Sequence, residues 1–114
     1  MSQTQAAPSM VLQIKDKIEY ADTGVLSKVL IKLPYCQYTL FCLAAGTDIS
    51  EHTSTSNAVM HVLDGKGVLT LEGEDIPLLP GSFVFMPANA PHEIKSEVNL
   101  AFLLVLSDVA PEAA

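Results

Sequence analysis

Positively charged side chains are scarce in this chain. Six Lys and Arg stand against thirteen Asp and Glu across 114 residues, for a formal net charge of −7. The six are spread along the sequence without a basic cluster, so the electrostatic footprint that nucleic acid or an anionic membrane requires is absent. Long apolar runs are missing too: no stretch approaches the ~20 residues of a membrane-spanning helix. The N-terminus, MSQTQAAPSMVLQIKDK, lacks the basic start and apolar core of a secretory signal. These absences lead to the expectation of a cytoplasmic protein that engages neither nucleic acid nor membrane. Cysteine is limited to Cys36 and Cys42. Within one expected strand, at ~3.3 Å per residue, they lie roughly 20 Å apart. That is well beyond the ~7 Å a disulfide allows. Two reduced thiols, packed as small hydrophobes, are expected instead. There is no Cys-x-x-Cys pair, no Gly-x-Ser-x-Gly elbow and no phosphate-binding glycine loop.

What is present is apolar and finely divided. A hydrophobic content of 49% against 17% charged residues describes a packed globule of one domain. Short apolar runs, each broken by Gly, Pro, Asp or Asn, predict strands near Val11–Ile14, Val25–Leu33, Tyr38–Ala45, Ala58–Leu63, Val68–Glu72, Ile76–Leu79, Ser82–Met86, His92–Ser96 and Leu100–Leu106. No window longer than about ten residues holds a helical period without a breaker. Strands at this spacing indicate an all-β sandwich or barrel over residues 10–108. Residues 1–9 read as a flexible arm and 109–114 as a flexible tail. Asp64–Gly67 and Glu72–Asp75 are each expected to turn a hairpin, and Pro80-Gly81 to launch the strand that Pro87 ends. Tyr38–Ala45 and Leu100–Leu106 are apolar on both faces, whereas a strand with one solvated face alternates. A second subunit covering the outer face, hence a homodimer, is expected; the alternative cover is the chain's own N-terminal arm.

Two stretches carry further information. The first reads Gly46, TDISE, His52-Thr53-Ser54, TSN, Ala58, VMHVLD, Gly65. The second reads Gly81, SFVFM, Pro87-Ala88-Asn89, AP, His92, EIK, Ser96. Together they resemble the paired motifs of the cupin family, in which a Gly, a His-x-His, a Glu and a Gly recur at these intervals, followed by a Gly, a Pro-x-Gly, a His and an Asn. The fifteen residues between Gly65 and Gly81 suit a short single-domain member. The resemblance implies a double-stranded β-helix, the jelly-roll barrel of that family.

It also implies a site. Typical members bind iron, manganese, nickel or zinc through the two first-motif histidines, the glutamate and the second-motif histidine. Here His52 and His92 match the first and last of these ligands, while Ser54 and Ala58 occupy the other two positions. Alanine cannot ligate, and a neutral hydroxyl is a poor ligand for a divalent ion. His61 and Cys42 are outside candidates for a third ligand, although strand alternation turns His61 away from the face of Ala58, Met60 and Val62. Glu51 and Glu93 likewise project away from the histidines. The expected pocket is therefore lined by His52, Ser54, Ala58, Met60, Met86 (or Phe85) and His92, with Val62 in its apolar wall, and is apolar with a few convergent polar groups. Two functions follow. One is a binding module for a small polar or aromatic molecule, with a weakly held divalent metal or none. The alternative is a mononuclear non-haem metal enzyme (oxygenase, isomerase or decarboxylase) on a two-histidine site.

Overall fold

A computed structural model describes residues 8–109. The expected arm and tail fall almost wholly outside these residues. Seven strands follow one turn of 3-10 helix at Ile14–Lys17: β1 (Val25–Leu33), β2 (Cys36–Leu43), β3 (Asp48–His52), β4 (Asn57–Leu71), β5 (Glu74–Leu78), β6 (Phe83–Met86) and β7 (His92–Ser107). All pairings are antiparallel, in the order β1-β2-β7-β4-β5, with β3 added to β7 and β6 to β4. This is the all-β fold that the strand spacing predicts, in the jelly-roll form that the family resemblance implies.

β4 and β7 build both layers. The first part of β4 pairs with β6 and with the end of β7, and its second part pairs with β5 and the start of β7. Each strand thus passes from one sheet into the other. The corner lies where the β4–β7 register shifts, between Val62 and Asp64 and between Gly65 and Gly67. Gly65 has φ +89°, and a Cβ there would run into the Asn99 carbonyl oxygen. Only glycine permits that approach.

Several sequence expectations are corrected by this arrangement. Asp64–Gly67 turns no hairpin: its glycines bend one continuous strand, so the two strands expected on either side of it are one. His92–Ser96 and Leu100–Leu106 are likewise a single strand. β3, which no apolar run announces, ends at His52, so this histidine closes a strand rather than sitting in a loop. Val11–Ile14 forms no strand. Val11 is 93% exposed, and the chain turns at Ile14–Lys17 through bonds from Asp16 N–H to Gln13 O and Ile18 N–H to Lys15 O. Glu72–Asp75 does form its hairpin, with Glu72 and Gly73 at φ 51° and 81° between the paired Leu71 and Glu74.

The main core lies between the sheets: Leu43, Met60, Val62, Leu69, Leu78, Met86, Ile94, Leu100 and Phe102. A second cluster, Leu40, Cys42 and Ala101, lies on the outer face of β2 and β7, packed under Ile18, Tyr20, Leu26, Leu30 and Leu63. Part of the second apolar face is therefore covered by the chain's own segment before β1. Tyr20 locks that cover, donating its hydroxyl to Asp64 Oδ2 at 2.7 Å. Both cysteines are free, as their spacing requires.

Candidate functional site

His52 ends β3 and His92 begins β7, and the two are direct cross-strand partners. Their rings meet edge to face with centroids 4.2 Å apart. Both rings are aimed by one local device. His52 Nδ1 lies 2.9 Å from the carbonyl oxygen of Ser50, two residues back. His92 Nδ1 lies 2.9 Å from that of Ala90, also two residues back. A carbonyl only accepts, so Nδ1 carries the proton and donates. In the neutral ring Nε2 is then left with a bare lone pair. His92 is buried, at 8% exposure, yet no buried side-chain nitrogen or oxygen among the described residues lacks a partner. Its Nε2 is therefore not sealed away without a partner, and the ring borders the adjoining cavity.

That cavity has two parts sharing the histidines. The inner chamber, about 120 Å³, is bounded by Phe41, Ile49, Met60, Met86, Ile94, Phe102 and Leu104 together with His52 and His92. Phe41 and Phe102, paired across β2 and β7, stack with centroids 5.4 Å apart. The outer vestibule, about 550 Å³, keeps both histidines, Phe41 and Leu104 and adds Thr53, Ser54, Thr55, Ala58 and Leu106. The imidazoles thus stand at the neck between an apolar chamber and a hydroxyl-bearing mouth. The loops of the two motifs are tied together there, Asn89 N–H donating to Ser54 O at 2.7 Å and Ala88 N–H to Asn57 Oδ1 at 3.0 Å. Ser54 Oγ is engaged by the Ser56 N–H.

Six of the expected pocket residues surround this cavity, His52, Met60, Met86 and His92 in the chamber and Ser54 and Ala58 in the vestibule, whereas Val62 is packed in the main core and borders neither part. Phe85, the other option beside Met86, faces outward at 55% exposure. Sequence reasoning missed Phe41, Ile49, Ile94, Phe102 and Leu104. Their alternation was visible, but which face looks inward depends on pairing between strands.

The two outside candidates for a third ligand are elsewhere. His61 lies on the outer face, its ring 6.3 Å from that of Phe83, and Cys42 is buried in the second cluster. Among the described residues no three His, Cys, Asp or Glu side chains come together as a metal set. Glu51 and Glu93 bound neither cavity. Two neutral imidazoles fall short of the three protein ligands usual in catalytic zinc or iron centres. The residues present do not fit a firmly resident metal; His52 and His92 are the whole of what the described residues offer one.

A sequence profile described as a cupin domain matches residues 39–106. The chain belongs to the cupin family. Among solved structures it is similar to a conserved protein of unknown function from Streptococcus pyogenes, with TM-score 0.80 and 26% identity over 96% of this chain and 95% of that one. It is also similar to a cupin superfamily protein from Desulfitobacterium hafniense, with TM-score 0.81 and 25% identity over 95% and 100% of the two chains. An uncharacterised protein of Methanocaldococcus jannaschii is 26% identical over 57 residues, which is 50% of this cupin and 46% of that protein. The match thus spans about half the length of that relative. Among the described residues, no helix of this cupin is long and apolar enough to cross a membrane.

Proposed function

We propose that this cupin is a binding module for a small polar or aromatic molecule, held in the two-part cavity with His52 and His92 at its polar end. The observation that carries the reading is the neck: two imidazoles from different strands, 4.2 Å apart, each oriented through Nδ1 by a backbone carbonyl. Orienting a histidine through its second nitrogen is how proteins hold an imidazole for a ligand or an ion. The apolar chamber supplies burial at roughly 25 cal/mol per Å², and the neck supplies direction. A divalent ion, where one binds, is held by these two rings with water or the ligand completing its shell, and weakly.

Elemental analysis of protein purified without a nickel column, with thermal unfolding in chelator, tests this. Metal below about a tenth of an equivalent and an unchanged melting temperature are expected, since a tightly bound ion raises stability by mass action. Stoichiometric metal lost in both His52→Ala and His92→Ala would instead overturn this reading in favour of a resident metal centre, which the metal-enzyme alternative requires.

A further inference from the structure

Resting on that reading, we infer the class of the ligand: an uncharged, hydroxyl-bearing molecule whose apolar end is a single six-membered ring. Three observations converge. First, no Lys, Arg, Asp or Glu bounds either part of the cavity. A carboxylate or an ammonium buried there would have no counter-charge, which costs several kcal/mol. Second, both rings border the cavity and spend Nδ1 on a backbone carbonyl, which in the neutral ring leaves Nε2 as the free acceptor. Two adjacent acceptors select a donor, and an O–H group is the neutral donor that fits. Third, the chamber of about 120 Å³ is close to the ~150 Å³ of an apolar cavity that admits benzene. It takes one ring, not two fused rings. Phe41 and Phe102 give that ring aromatic neighbours in the chamber wall, and Thr53, Ser54 and Thr55 receive whatever polar substituent reaches the mouth.

Titration of the protein with phenol, toluene and benzoate, followed by calorimetry and by the histidine side-chain resonances, separates the outcomes. Phenol is expected to bind at least about tenfold more tightly than either, tenfold being the effect of one modest hydrogen bond. His52→Ala, a change at an exposed side chain, should bring phenol down towards toluene. Benzoate binding as tightly as phenol would overturn the assigned class while leaving a small-molecule site in place. No binding by any of the three, with His52 and His92 resonances unmoved, would overturn the binding module itself.

Discussion

Ala58 is 5% exposed, sits beside the histidines at the neck, and pairs with Met86 across β4 and β6. With Ser54 it occupies the positions where metal-binding cupins carry glutamate and histidine. If only these two side chains keep the site from holding a metal firmly, restoring them should create a centre. Ser54→His with Ala58→Glu is expected to raise zinc or manganese affinity by at least ~100-fold, because it takes the protein ligands from two to four. Calorimetric titration with the metal alone reads this; an affinity within a few-fold of wild type would mean that the neck geometry, not the ligand count, is at fault. Tyr20 makes a separate prediction. Burial first, then the hydrogen bond and charge of Asp64 and the charge of Cys42, push its hydroxyl well above the ordinary 10.0. The folded chain therefore keeps a proton that the unfolded chain loses. Its contribution is whole below about pH 10 and falls as pH rises further. Denaturant melts should show Tyr20→Phe losing about 1 kcal/mol at neutral pH but declining less steeply than wild type above about pH 10.

At the scale of elements, β4 and β7 decide the fold, since each serves both sheets. Gly65 is where β4 turns the corner, and a methyl group there meets the Asn99 carbonyl while demanding a positive φ. Gly65→Ala is expected to cost more than about 3 kcal/mol, or to prevent folding, because the clash is with backbone that cannot step aside. Gly73, also at positive φ, has open space within 4 Å of where a Cβ would stand. Gly73→Ala should cost only the conformational term, about 1 kcal/mol. Urea melts of the pair compare the two; equal losses would show that the corner yields. The same corner explains one misreading. Asp-Gly-Lys-Gly supplies identical local freedom to a hairpin and to a bend within a long strand, and only the partner strand distinguishes them. β3 escaped notice for a related reason: Asp48–His52 is polar and largely exposed, so it carries no apolar alternation, and β7 supplies its pairing.

Across the whole molecule, the parts legible in the sequence were those set by spacing along the chain. The breaker-separated apolar runs implied an all-β sandwich or barrel, and the resemblance of the stretches around His52 and His92 to paired cupin motifs implied that the two face each other. What was not legible depends on pairing between strands. The inward face of β2 and β7, hence Phe41, Phe102 and Leu104 in the cavity wall, follows from register. So does the division of the outer face into a part covered by Ile18 and Tyr20 and a part that the described residues leave uncovered. The proposed binding comes down to two imidazoles held through Nδ1 at the border of one cavity. A long-range ¹H–¹⁵N correlation spectrum observes the nitrogens of those rings directly. His52 and His92 should both show the Nδ1–H tautomer, and both Nε2 signals should shift on addition of phenol. An Nε2–H tautomer at either residue, or Nε2 signals indifferent to phenol, would contradict it.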